Sequence, residues 1–235
     1  MMKNEEKKRI KGECLRHYTS LPRLIEILSE KQIPMMNPAF WIDKNDAFSV
    51  NESSDSAVGV ICFSDTEQEL SHMWENYAKR GIGVCVLFYK EGIKKLINGK
   101  NNYKLNKITY LRFKKNKDTW VLYDENVKFK IKEKSELAFV KRIPYCEEHE
   151  YRLAFFSDQN RKICGNVVSF LQINFSLKDL IHEIYLSPFL DKEQEKDVKC
   201  LLEAYLKECK LSEIKVKISK MAEDVRWRNA IRRLK

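Results

Sequence analysis

The chain has 235 residues, 43% of them apolar, with only 7 glycines and 5 prolines; that is enough for one substantial globular domain and excludes a disordered or fibrous protein. Lysine plus arginine outnumber aspartate plus glutamate 44 to 34, a formal charge of +10, which suits a phosphate-bearing partner (nucleic acid or dinucleotide) and equally a set of solvated lysine-rich faces. The start is charged without an apolar core segment, the apolar runs are strand-sized, and the 7 cysteines are odd in number and form no C-x-x-C pair. The reading is a cytoplasmic chain with no signal peptide, membrane span, zinc site or disulfide framework.

In chain order, residues 3–11 form a charged lead-in. Residues 15–18 predict a short strand. Thr19 or Ser20 then caps a helix with Pro22 in its first turn and Leu24, Ile25 and Leu28 on one face. Residues 33–36 are strand-like. Residues 37–56 are polar, with Asn45-Asp46 and several serines, and read as an irregular loop, long enough to suggest a functional cover. Residues 58–63 predict a buried strand. Ser64-x-x-Glu67 has the capping-box pattern, so a helix is predicted to begin there, with Leu70, Met73, Trp74 and Tyr77 at helical spacing. Gly81 and Gly83 end it and admit a strand over 83–88.

Residues 92–102 read as a short helix and loop, and 108–113 as a strand. Residues 119–140 predict a helix, although 127–131 alternates like a strand. Strands follow at 150–156, 167–173 and 181–186. Residues 192–209 predict a helix with Val198, Leu201, Leu202, Tyr205 and Leu206 inward. A last strand over 214–219 leads into a basic tail. There is no repeat, low-complexity block or linker, so the expectation is a single domain over 1–235. About seven or eight strands with helices clustered early and late argue against a doubly wound sheet and for an α+β domain with a mixed, largely antiparallel sheet.

Three groups of residues could carry chemistry. Glu148, Glu150 and Arg152 are spaced two apart, so in a strand they share a face while Tyr151, Leu153 and Phe155 meet the core. Two like charges so placed need a cation, which Arg152 supplies; the plain alternative is a solvent-facing strand edge with an incidental ion pair. His17, followed by Tyr18 and Thr19, can hydrogen-bond a ribose or phosphate, or simply sit beside a helix cap. Ser64 is accounted for by capping, and Trp74 and Tyr77 are either core aromatics or a platform for a flat ring. Cys62 lies inside an apolar strand, where a thiol is inert. No Gly-rich phosphate loop, H-E-x-x-H or G-x-S-x-G is present.

Taken together, Tyr18-Thr19-Ser20 after His17, Asn45-Asp46, Cys62-Phe63-Ser64, Met73-Trp74-x-x-Tyr77-Ala78, Gly83-Val84-Cys85, Glu148-x-Glu150-Tyr151-Arg152 and His182-Glu183-Ile184-Tyr185-Leu186-Ser187-Pro188 resemble a bacterial family, the domain of unknown function numbered two-nine-seven-one. The resemblance runs from about residue 15 to 219. More distantly, the layout is similar to ADP-ribosyltransferases of the diphtheria-toxin and poly-ADP-ribose-polymerase branch. That similarity implies an ADP-ribosyltransferase-like fold and NAD as substrate, without a metal, in a toxin, effector or phage-defence component. It implies Glu150 as the catalytic carboxylate and Glu148 as the acid that orients an acceptor or activates water. His17, Tyr18 and Thr19 would hold ribose and phosphate, Trp74 and Tyr77 the nicotinamide, Ser64 would support the carboxylate or the ribose, and Arg152 would join the cofactor-binding residues. The alternative is a non-catalytic module on the same scaffold that binds a nucleotide or nucleic acid through the lysine-rich segments 104–117 and 128–134.

Overall fold

A computed structural model describes residues 14–78, 82–116, 119–124, 127–157, 165–219 and 221. The charged lead-in, Gly81, Cys164 and all but Met221 of the basic tail lie outside the described residues. In chain order the elements are β1 (Cys14–Ser20), α1 (Leu21–Glu30), β2 (Gln32–Met36), α2 (Lys44–Asn51), β3 (Val58–Ser64), α3 (Ser71–Tyr77), β4 (Gly83–Tyr89), α4 (Lys90–Ile97), β5 (Tyr103–Lys107), β6 (Thr109–Asn116), β7 (Thr119–Asp124), β8 (Val127–Lys128), β9 (Val140–Arg142), β10 (Glu150–Phe156), β11 (Val167–Gln172), β12 (Ile181–Leu186), α5 (Lys192–Glu208) and β13 (Lys215–Ile218). Short 3₁₀ turns cover Pro38–Phe40, Lys134–Phe139, Ile143–Glu148 and Leu177–Asp179. The fold is α+β, with mixed and largely antiparallel sheets. Among the described residues no helix is long and apolar enough to cross a membrane.

The described residues form two compact units, each drawn from separate stretches of chain: one from 1–31, 67–92 and 175–235, the other from 32–66 and 93–174. In the first unit β4 pairs antiparallel with β1 and β12, and β12 pairs parallel with β13. Residues Val84 to Phe88 are all buried, which is why this strand reads as an unbroken apolar run rather than an alternating one. Ser20 caps α1, accepting from the Arg23 amide at 3.4 Å, with Pro22 in the first turn. Leu24, Ile27 and Leu28 are its buried face. Gly83 is required where the chain turns off α3: a Cβ there would collide with the Ala78 carbonyl. The core on this side gathers Tyr18, Met73, Trp74, Ala78, Cys85 and Leu87.

In the second unit the strand order is β11, β2, β3, β10, β5, all antiparallel. A further group runs β8, β7, β6, β9, antiparallel except for the parallel pair β6 and β9. Val50, Val58, Val60, Ile108, Ala138, Phe139 and Ala154 form its core.

Several expectations are corrected. Residues 37–56 are ordered as a 3₁₀ turn and α2, because Asn37 and Asp43 each cap a turn that their polarity had suggested was loop. The helix after β3 begins at Ser71 and not at Ser64; Leu70 stands at its N-cap and makes no side-chain cap bond. Residues 119–140 hold β7, β8 and a 3₁₀ turn in place of a helix, so the alternation at 127–131 carried the signal. On α5, Leu201 is exposed and Val198, Leu202 and Leu206 form the buried stripe, a narrower seam than the five positions expected.

Candidate functional site: a buried five-charge cluster

β10 pairs with β3 so that Glu150 lies opposite Ser64, Arg152 opposite Cys62 and Ala154 opposite Val60. This face of β10 is buried: Glu150 is 2% exposed and Arg152 is 0% exposed. The expected solvent-facing strand edge is therefore overturned. Tyr151 and Phe155, expected to face the core, are half-buried, and Leu153 alone of the three is buried. Glu148 is also not on the strand. It ends the 3₁₀ turn Ile143–Glu148, and His149, in the left-handed region at φ 45°, turns the chain into β10.

Burying charge is unfavourable unless each group finds a partner, and here three other elements bring the partners. α2 carries Asp46, β9 carries Lys141 and the 3₁₀ turn carries Glu148, all buried. Arg152 grips Asp46 with two parallel bonds, Nη1 to Oδ1 at 3.1 Å and Nη2 to Oδ2 at 3.0 Å. Its Nε donates to Glu150 Oε1 at 2.8 Å, and Nη1 also donates to the Ala138 carbonyl at 2.8 Å. Lys141 Nζ donates to Glu148 Oε2 at 2.6 Å and to Glu150 Oε2 at 3.0 Å, and lies 3.4 Å from Asp46 Oδ2. Aromatic rings close the cations in: Trp41 lies 5.1 Å from the Arg152 guanidinium and Tyr145 lies 4.9 Å from the Lys141 ammonium.

The planar fork of Arg152 and the point charge of Lys141 are used differently, the first to fix geometry and the second to stand within ion-pair distance of three carboxylates at once. Burial pushes the Glu150 carboxyl up, but Arg152 and Lys141 outweigh it and hold it at about 2. Burial pulls the Arg152 guanidinium down, but Glu150 and Asp46 hold it well above its ordinary value. Burial and the Glu150 carboxylate push the Cys62 thiol well up, as an inert thiol requires.

Around the cluster, Asp43 caps α2 by accepting from the Asn45 and Asp46 amides and takes Arg142 Nη2 at 3.2 Å. Tyr110 on β6 accepts from the Glu150 amide at 2.8 Å. It also lines an open cavity of about 590 Å³ with Thr109, Arg112, Asp124 and Cys146. Ser64 is fully buried; its Oγ donates to the Glu148 carbonyl at 2.7 Å and lies 3.2 Å from Thr66 Oγ1. It therefore ties β3 to the turn before β10 rather than capping a helix. Among the described residues no group of three His, Cys, Asp or Glu side chains is arranged to hold a metal ion.

Of the residues singled out in the sequence, Ser64, Glu148, Glu150 and Arg152 come together in the second unit, and His17, Tyr18, Thr19, Trp74 and Tyr77 belong to the first. There Trp74 is fully buried, donates from Nε1 to Glu69 Oε2 at 3.0 Å and meets Tyr18 edge-on at 5.2 Å. The Tyr18 hydroxyl accepts from the Leu70 amide at 3.3 Å. These two rings pack as core aromatics. Tyr77 is the open ring of α3, 46% exposed, and His17 on β1 meets Phe88 edge-on at 6.2 Å. Sequence reasoning noted Asp46 only as part of a motif and missed Lys141 altogether. A lysine next to Val140 in a lysine-rich chain carries no local signal of burial.

Residues 73–153 match the family model described as "Protein of unknown function (DUF2971)", the family that the ordered motifs resemble. The matched stretch contains Trp74, Tyr77, Lys141, Glu148, Glu150 and Arg152. No curated protein matches the chain.

Proposed function

We propose that the protein acts on NAD at the ribose carbon that bears nicotinamide, transferring ADP-ribose to an acceptor or to water, with Glu150 as the stabilising carboxylate. The observation that carries this reading is a buried site in which three carboxylates outnumber two cations, with Glu150 ionised down to about pH 2. When the glycosidic bond breaks, its electron pair goes to the pyridinium nitrogen, nicotinamide leaves neutral, and positive charge develops on the ribose. A carboxylate that remains ionised in a low-dielectric site stabilises that charge strongly. The acceptor oxygen then bonds to the ribose carbon and its proton passes to Glu148. Arg152 and Ser64 support this by fixing Glu150 and the turn that presents Glu148.

A specific observation favours a second reading, a non-catalytic nucleotide- or nucleic-acid-binding module. Both Glu150 oxygens are engaged, Oε1 by Arg152 and Oε2 by Lys141, so the cluster also reads as a fastener for α2, β9 and β10. Incubating the purified protein with NAD, lysate and RNA, and following nicotinamide release by mass spectrometry, separates the two. On the first reading Glu150→Gln, confirmed folded by circular dichroism, lowers release about a hundredfold, the effect of roughly 3 kcal/mol of lost transition-state stabilisation. No release from the folded wild-type protein would leave the binding module.

A further inference from the structure

Beyond Leu111, which is buried, the strand β6 leaves the core: Arg112, Phe113, Lys114 and Lys115 are all exposed, so both faces of the ribbon formed with β7 and β8 meet solvent. The two faces differ. Side chains alternate along each strand, and directly paired residues share a face. Arg112 is paired with Tyr123 and Tyr123 with Lys128, which sets a tyrosine between two cations in one row. Lys114, two residues from Arg112 and on the same face, holds its ammonium 5.5 Å from the Tyr123 ring centre. Among the described residues of the ribbon that face carries no acid. The opposite face carries Phe113 beside Leu122, then Lys115, and Asp124 beside Val127.

We propose that the Arg112–Lys114–Tyr123–Lys128 face of this ribbon binds a single-stranded polynucleotide. Three cations around one aromatic ring are the two ingredients of sequence-tolerant single-strand binding: phosphate neutralisation along the backbone and a flat ring on which a base stacks. On binding, Lys114 exchanges the ring for a phosphate and opens the face of Tyr123 to the base. Two other occupants fit the charge less well. A second copy docked through the same face would set cations against cations. An anionic membrane would meet the more apolar opposite face, where Phe113 (54% exposed), Leu122 (43%) and Val127 (73%) share the surface with one cation, Lys115, and one acid, Asp124, so no net charge draws it there. This site is independent of any reaction at Glu150.

The test is fluorescence anisotropy of a labelled oligo-dT titrated with the full chain at several salt concentrations, beside sedimentation with phosphatidylserine vesicles. The wild type is expected to bind oligo-dT. The variant Arg112→Gln/Lys114→Gln/Lys128→Gln is expected to lower the slope of log affinity against log salt by about 2, at roughly 0.7 per phosphate contact. Lys114→Gln alone lowers it by about 0.7 and guards against misfolding of the triple variant. Tyr123→Leu weakens binding about tenfold with the slope unchanged. Lys192→Gln/Lys196→Gln/Lys207→Gln on α5, which removes the same charge elsewhere, leaves the slope as it was. The proposal is overturned if the wild type does not bind oligo-dT, if it binds only the vesicles, if the α5 variant lowers the slope as much as the ribbon variant, or if Tyr123→Leu binds like wild type.

Discussion

The second unit carries charge in two opposite ways. In the cluster of Asp46, Lys141, Glu148, Glu150 and Arg152 the charges are buried, each is answered at hydrogen-bond distance, and every member is fixed by others. On the ribbon, Arg112, Lys114 and Lys128 stand in solvent, and the Lys114 ammonium lies 5.5 Å from the centre of the Tyr123 ring. The same residue types thus hold a fold together in one place and present a field in the other. What separates them is the dielectric, since a charge that water can solvate loses little with its neighbour, whereas a buried one has no substitute for it.

The comparison is sharpest where one buried partner is removed. Arg152→Met should destabilise the protein by about 3–5 kcal/mol in denaturant unfolding, because three buried acids, Asp46, Glu148 and Glu150, would be left to share one cation, Lys141. A loss below about 1 kcal/mol would mean the cluster is no stiffer than a surface pair. Next comes acid. The folded Glu150 carboxyl sits at about 2 against an ordinary 4.5, so its stabilisation is complete above pH 4.5 and lost as pH falls toward 2. The expected loss is on the order of 3 kcal/mol, measured as the midpoint of unfolding against pH, and Glu150→Gln should flatten that dependence.

Ser64→Ala ranks third. It leaves the buried Glu148 carbonyl without its 2.7 Å donor, for about 1–2 kcal/mol. On the NAD reading nicotinamide release should fall with it, because the turn that carries Glu148 loses one of its ties to the end of β3 and keeps the bond from the Asp65 amide to the His149 carbonyl. The smallest effect belongs to the ribbon: Lys114→Gln should change stability by less than about 0.5 kcal/mol while changing the salt dependence of oligonucleotide binding. A large stability change at Lys114 would erase the distinction between the two regions.

Much of this architecture was legible in the chain. The apolar runs gave β1, β3, β4, β10, β11 and β12 close to their observed bounds, and Ser20 with Pro22 marked the start of α1, because strand-sized apolar runs and caps are local signals. The errors fell where tertiary context decides. Ser64-x-x-Glu67 has the composition of a cap, yet the Ser64 hydroxyl is taken by the Glu148 carbonyl from far along the chain. Glu148, Glu150 and Arg152 were recognised as a constellation, but their spacing predicted one strand face, and the turn at His149 breaks that register. Their burial was invisible because it depends on Asp46 and Lys141, brought in by α2 and β9, and no spacing rule connects residues so far apart in sequence.

One detail of the first unit offers a clock. Cys85 is fully buried on β4, and burial pushes its thiol up to about 12, whereas Cys200 on α5 is exposed. In mildly alkaline buffer an alkylating reagent should therefore consume Cys200 at once and reach Cys85 only when the β1–β4–β12 pairing comes apart. Peptide mapping over time would convert the lag between the two adducts into the free energy of that opening. Repeating it with NAD or oligonucleotide present would report whether either ligand tightens a unit whose thiol neither of them needs to touch.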